Sequence, residues 1–296
     1  MKILITGANG FLAQHLTLFL SKKGYQVFAL GRGECRIAGD GFTYVQADLV
    51  TEDEVRQAIE RSQPDVVVHA AAMSKPDECD KNREMCIDVN VNATRYLITA
   101  CEQLSNKPHF IYTSTDFVFG EGGPHAEDDI PAPLNFYGET KLMAENAVQQ
   151  SHLDWCIMRP VFIYGVCFPG MRPSFLHMIR SNLEAKKPIK IVNDQFRTPT
   201  YVTDLCRGIQ CIVEKRFKGL IHLAGKDILS PYQMAIQVAK YLQLDNSFIE
   251  EVSAETFWEP VKRAKRSGLK IDKAMKELNY DPISFEEGIA ATFKNL

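Results

Sequence analysis

The chain lacks any run of about 18 apolar residues, the length a helix needs to cross the hydrocarbon of a bilayer. Its first residues, Met1-Lys2-Ile3-Leu4-Ile5-Thr6-Gly7, also lack the longer apolar stretch and small-residue cleavage site of a secretory signal. Charge of one sign is missing too. With 34 Lys+Arg against 37 Asp+Glu, the formal charge is −3, which gives no electrostatic case for nucleic acid or for an anionic membrane surface. The eight cysteines contain no C-x-x-C pair, and no Cys/His cluster has zinc spacing, so no metal site is expected. Several cysteines fall in apolar segments, where a free thiol packs as a small hydrophobe. That usage fits a reducing cytoplasm better than a disulfide framework.

What is present is 45 % hydrophobic and 24 % charged residues over 296 positions, enough for one large α/β domain, or a large and a small one. Short apolar runs at Lys2–Thr6, Gln26–Leu30, Thr43–Gln46, Val66–His69, His109–Thr113 and Asp154–Met158 alternate with helical patterns near 11–22, 52–62, 83–104 and 136–151. Such alternation indicates parallel strands buried on both faces, and right-handed crossovers wind them into a doubly wound sheet. From about Gly165 the alternation loosens. Helical patterns near 174–186, 203–215, 231–243 and 285–294 interleave with short strands at 189–192 and 219–223. The expected division is residues 1–165 for the sheet domain, with parts of the later chain returning to it, and 166–296 mainly for a smaller lobe over the strand ends.

Two places carry chemistry. In Ile3-Leu4-Ile5-Thr6-Gly7-Ala8-Asn9-Gly10-Phe11-Leu12-Ala13, an apolar strand passes through a glycine turn into a helix. Gly7 suits the tight turn, Gly10 lets the backbone approach a pyrophosphate, and the following helix offers its free N–H groups. The pattern is G-x-x-G-x-x-A, not the strict G-x-G-x-x-G, so a plain tight βα turn is the alternative. Its place on the first strand of an alternating chain favours a dinucleotide. The second strand ends Leu30-Gly31-Arg32-Gly33, with no carboxylate before Glu34. An arginine there suits a 2′-phosphate, so NADP(H) is the preferred cofactor through Arg32, and NAD(H) stays open.

Tyr137-Gly138-Glu139-Thr140-Lys141 puts Tyr137 and Lys141 at i and i+4 on one helix face. An ammonium about 4 Å from the phenol is worth roughly 4 kcal/mol at an effective dielectric of ~20, so the expectation is a Tyr137 pKa pulled down from ~10, for general acid–base work. Upstream, Ser114-Thr115-Asp116 presents hydroxyls at the carboxyl end of the His109–Thr113 strand, the ligand edge of a doubly wound sheet. Thr115 is read as a hydrogen-bond partner for a substrate carbonyl, with a turn cap as the alternative.

At this point the chain resembles the extended short-chain dehydrogenase/reductases that act on nucleotide sugars, and within them the dTDP-4-dehydrorhamnose reductase branch. The carriers are Gly7-Ala8-Asn9-Gly10, Pro64-Asp65-Val66-Val67-Val68-His69-Ala70-Ala71-Ala72, Asp88-Val89-Asn90, Ser114-Thr115-Asp116-Phe117-Val118-Phe119-Gly120, Pro133-Leu134-Asn135-Phe136-Tyr137-Gly138, Lys141, and Asp194-Gln195-Phe196-Arg197-Thr198-Pro199-Thr200. The resemblance implies a Rossmann-like doubly wound parallel sheet with a smaller C-terminal α/β substrate-binding lobe. It implies a catalytic triad of Thr115, Tyr137 and Lys141, with Tyr137 protonating the sugar C4 oxygen and Lys141 also holding the nicotinamide ribose. It places Gly7, Asn9, Gly10, Phe11, Leu12, Asp48, Leu49, Ala70, Ala71, Ala72 and Asn90 on the cofactor, and Ser74, Asp116 and Phe162 near the substrate. The implied partner is a nucleotide sugar, and a homodimer is left open.

Two departures from the branch pattern stand out. Arg159-Pro160-Val161-Phe162-Ile163-Tyr164-Gly165 replaces the branch's Arg-Thr-Ser-Trp before Val-Tyr-Gly, and Arg197 replaces a glycine. Arg-Pro is closer to nucleotide-sugar epimerases and dehydratases, which are one alternative function; a non-catalytic, cofactor-binding regulatory subunit is another. Elsewhere, His69 reads as a core histidine, and Cys206 and Cys211 as packing. Glu127-Asp128-Asp129 reads as a solvated flank from which Glu127 could help close the site. Lys262-Arg263-Ala264-Lys265-Arg266 reads as a solvated basic face, with contact to a nucleotide diphosphate as its other reading.

Overall fold

Strands β1 (Lys2–Thr6), β2 (Gln26–Gly31), β3 (Phe42–Gln46), β4 (Val66–His69), β5 (His109–Thr113) and β6 (Trp155–Arg159) lie side by side in the computed structural model, which describes residues 1–257 and 261–294. Residues 258–260 and 295–296 of the expected second lobe fall outside the described residues. After β7 (Ile163–Tyr164), β8 (Ile189–Val192) and β9 (Thr200–Tyr201), the chain returns β10 (Gly219–His222) to the same sheet. The order is β10-β6-β5-β4-β1-β2-β3, and every pairing is parallel. β1 leads outward to β2 and β3, and β4 leads the other way. The carboxyl ends of β1 and β4 therefore flank the crevice where such sheets take their ligands.

Period-two strands explain the two-sided burial. Ile3, Ile5, Val66, Val68, Ile111 and Met158 face helices α1 (Phe11–Lys22) and α8 (Val202–Lys215). Leu4, Val67, Phe110, Tyr112 and Ile157 face the opposite layer, which contains α2 (Glu52–Ser62), α5 (Ala93–Glu102) and α6 (Phe136–Gln149). α8 and β10 thus belong to the sheet body although they lie beyond residue 165. The second lobe has its own core, in which Leu176, Ile179, Met234, Val238, Phe285 and Ile289 from α7 (Phe175–Glu184), α9 (Pro231–Tyr241) and α10 (Phe285–Phe293) pack together. Two small parallel pairs, β7–β9 and β8–β11 (Ile249–Val252), complete it.

The helix expected over 83–104 forms as one continuous run from Arg83 to Glu102, with a widened turn in its middle. α3 (Pro76–Lys81) and α4 (Arg83–Ile87) precede a π-helical turn at Asp88–Asn92 that leads into α5. The Asn90 amide accepts from the Met73 N–H at 2.8 Å and donates to the Thr140 hydroxyl at 3.0 Å. The widened turn places that buried side chain between two other segments, a common use of π-turns near functional sites.

Candidate active site

One cleft of about 810 Å³ runs along the carboxyl ends of β1, β2, β4 and β5, within the size range of small-molecule sites. At its first end, Gly7 takes φ +73°, and a Cβ there would stand 2.8 Å from the Ala71 backbone. Only glycine allows that approach without strain. The Gly10 N–H closes the turn on the Gly7 carbonyl at 2.7 Å. α1 then starts with no side-chain cap and no acidic residue in its first turn, which leaves its N–H groups and positive end to an anion. The Asn9 side chain donates to the Arg32 and Glu34 carbonyls and to the Tyr44 hydroxyl, and accepts from the Arg36 N–H. It fastens the β2–β3 loop, so its polar atoms are committed to protein.

At the other end, α6 approaches the loop after β5. The Asn135 side chain caps α6 by accepting from the Gly138 N–H at 3.0 Å. A Cβ on Gly138 would overlap the Phe117 carbonyl, so glycine is what lets the helix close on that loop. The result buries Thr115, Asp116, Tyr137 and Lys141 together, each under 10 % exposed. The Thr115 side chain neighbours the Tyr137 phenol. Thr115 donates to Asp116 at 3.2 Å and accepts from the Phe117 N–H at 3.3 Å, which is the turn cap. Lys141 Nζ donates to the Thr113 carbonyl at 2.7 Å and sits 4.2 Å from the centre of the Tyr112 ring.

The electrostatics correct one expectation. Burial pushes the Tyr137 phenol well above its usual range; the neighbouring Thr115 hydroxyl opposes this, and the Asp116 carboxylate adds to it. Lys141 is itself lowered to about 7 by burial, with Glu145 the main opposing influence. Desolvation thus outweighs the attraction inferred from helical spacing alone, and Lys141 turns its ammonium to a carbonyl. Tyr137 keeps its proton across the neutral range. Asp116 is raised by burial and pulled back chiefly by Arg197.

The cleft wall includes Gly7, Asn9, Gly10, Phe11, Leu12, Arg32, Asp48, Leu49, Ala70, Ala71, Ala72, Ser74, Thr115, Asp116, Tyr137, Lys141 and Phe162. Asn90 does not reach it; its bonds to Met73 and Thr140 hold it behind the wall, a supporting place and not a cofactor contact. Glu127 is likewise away from the cleft, accepting from the His222 N–H at 2.9 Å. His69 is buried between Thr6 (2.7 Å) and Thr94 (3.0 Å), and burial, assisted by Lys141, lowers it to about 3. In the basic segment Lys262, Lys265 and Arg266 are exposed, as a solvated face requires, and Arg263 is half-buried. Arg263 meets Asp77 of α3 at 2.7 Å, and the Lys265 and Arg266 N–H groups donate to Glu121.

Sequence reasoning passed over Arg36, on the wall beside Arg32, and the stretch Arg172–Phe175, contributed by the second lobe. The run Arg32-Gly33-Glu34-Cys35-Arg36 was a visible signal for the first; nothing local marked the second. The Thr113 and Ser114 hydroxyls, also at the wall, are buried without a partner among the described residues. Such atoms fit a polar ligand in the cleft, and the uncapped α1 fits the diphosphate of a dinucleotide.

Comparison with known proteins agrees with this geometry. The family model of the RmlD substrate binding domain matches residues 1–296. Methionine adenosyltransferase 2 subunit beta of Pongo abelii is 30 % identical over 258 residues, covering 85 % of this chain and 75 % of that protein. The crystal structure of dTDP-4-dehydrorhamnose reductase from Bacillus anthracis in complex with NADP superposes with a TM-score of 0.86 at 25 % identity, covering 100 % and 99 % of the two chains. UDP-glucuronic acid 4-epimerase from Bacillus cereus, in complex with UDP-glucuronic acid and NAD, gives 0.84 at 26 % identity, covering 99 % and 98 %.

Proposed function

We propose, for a chain that belongs to the RmlD substrate-binding domain family and is an NAD(P)-dependent oxidoreductase, the reduction of a 4-keto nucleotide sugar, with dTDP-4-dehydro-L-rhamnose to dTDP-L-rhamnose as the reaction to test first. The observation that carries this reading is the buried meeting of Thr115, Tyr137 and Lys141 in the cleft that starts at the α1 turn. When bound, the nicotinamide supplies the hydride. Tyr137, kept protonated by burial, delivers the proton that completes the C4 hydroxyl. The Thr115 hydroxyl orients the carbonyl oxygen toward that proton. Lys141 commits one N–H to Thr113 and keeps two for the nicotinamide ribose. Ser74, Asp116 and Phe162 stand on the sugar side.

NADP(H) is the preferred cofactor in this reading, because Arg32 and Arg36 stand on the wall where β2 ends without a carboxylate. Eight free thiols fit a reducing compartment, and we assign the chain to the cytoplasm. A second reading, a nucleotide-sugar epimerase in which the cofactor is regenerated within each turnover, is favoured by Arg159-Pro160 and by the likeness to the 4-epimerase. NADPH absorbance, followed with enzymatically generated dTDP-4-dehydro-L-rhamnose, separates them. Wild type should oxidise NADPH, and Tyr137→Phe should lose about 10²–10⁴-fold in rate while still binding the cofactor. Binding without oxidation by wild type sinks the reductase reading.

A further inference from the structure

The loop between β7 and α7, residues 165–174, belongs to the second lobe yet is pinned to the first. His15 of α1 meets the Val166 carbonyl at 2.9 Å through Nε2, and its ring stacks on Phe168 with centroids 4.4 Å apart. Phe11, the first residue of α1, packs on the same imidazole at 5.0 Å. The chain then doubles back. The Met171 N–H donates to the Phe168 carbonyl at 3.0 Å, around Gly170 at φ +80°. That turn brings Arg172 onto the cleft wall shared with Gly10 and Phe11.

Arg172 is exposed, and no carboxylate pairs with it among the described residues. Of the other cations on that wall, Arg32 and Arg36 follow β2, and Lys141 is turned to Thr113. Arg172, on a loop anchored to the first turns of α1, shares the cleft wall with Gly10, Phe11, Leu12 and Ala13, where that helix offers its N–H groups. A guanidinium pairs with phosphate oxygens through two parallel hydrogen bonds.

We propose that Arg172 is the second lobe's contact to the diphosphate of the bound dinucleotide, opposite the amino end of α1. It rests on reading the cleft as a cofactor site. The cofactor then ties the two lobes together from both sides.

The test is a fluorescence titration of wild type, Arg172→Ala, Arg172→Lys and Arg32→Ala with NADPH and with NADH. Arg172 is exposed, so its variants should fold, which far-ultraviolet circular dichroism checks. Both dinucleotides carry the diphosphate, so Arg172→Ala should weaken both by about tenfold, Arg172→Lys should weaken them less, and Arg32→Ala should weaken NADPH alone. Arg172→Ala binding both as tightly as wild type overturns the proposal, including the case where only the KM for the sugar rises. A loss confined to NADPH also overturns it, by moving Arg172 to the 2′-phosphate. A wild type that binds neither dinucleotide overturns the cofactor reading itself, and the proposal with it.

Discussion

Lys141→Met should abolish turnover and stabilise the fold. The native fold holds the ammonium at a cost, since burial lowers its pKa from 10.5 to about 7. At roughly 1.4 kcal/mol per pKa unit, that shift sets an upper bound of about 5 kcal/mol on the penalty. Methionine keeps most of the packing volume but loses the 2.7 Å bond to the Thr113 carbonyl and the contact with the Tyr112 ring. Those losses come to about 2–3 kcal/mol. The net gain is then at most about 2–3 kcal/mol, at about 2–4 °C in Tm for each kcal/mol in a chain of this size.

The pH dependence identifies the cause. With the folded-state pKa lowered, the unfolded chain binds more protons between about 7 and 10.5. Wild-type stability attributable to Lys141 therefore rises with pH through that window, and the full penalty applies below it. The advantage of the methionine variant should be largest near pH 6 and close toward pH 10 (both approximate, set by the same linkage). Thermal melts of the two proteins across that range are the assay. A gap that stays flat with pH, or a variant less stable than wild type at the acid end, would refute the argument that desolvation governs this lysine.

Two further substitutions probe the supports of the site. Glu145 accepts two hydrogen bonds from buried Arg159, at 2.8 and 2.6 Å; Glu145→Gln leaves that guanidinium without its counter-charge and should cost about 3–5 kcal/mol, read by chemical denaturation. A loss under about 1 kcal/mol, the range of exposed pairs, would show that the pair contributes little. Gly138→Ala puts a methyl group against the Phe117 carbonyl and should displace Tyr137 from Thr115, lowering kcat by about 10²-fold with cofactor affinity retained. Wild-type kcat in that variant would mean α6 has more room than the close approach implies.

Much of the fold was legible because parallel strands buried on both faces must be apolar at every position. Val66-Val67-Val68 has no other comfortable place in a chain that alternates with helices, and it forms β4. The Gly7–Gly10 turn and the Tyr137–Lys141 spacing were legible for the same local reason, since each is a matter of backbone conformation over a few residues. The π-turn inside the helix expected over 83–104 was not legible. It answers to Met73 and Thr140, which Asn90 reaches only in the folded chain. Arg172 was hidden for a related reason, because the loop that carries it is placed by His15, 151 residues before its hydrogen-bond partner Val166.

The amino-acid sequence by itself determined the alternating architecture, the glycine turn and the residue types that could exchange a proton, because strand period, helix period and glycine's freedom act over a few neighbouring residues. Only the tertiary structure decided the charge state of those residues and which cations share their cleft. Spacing along a helix predicted a phenol made more acidic by its lysine; the fold buries both and shifts each toward its neutral form. Desolvation depends on everything packed around a group, and that packing is assembled from segments far apart in the chain.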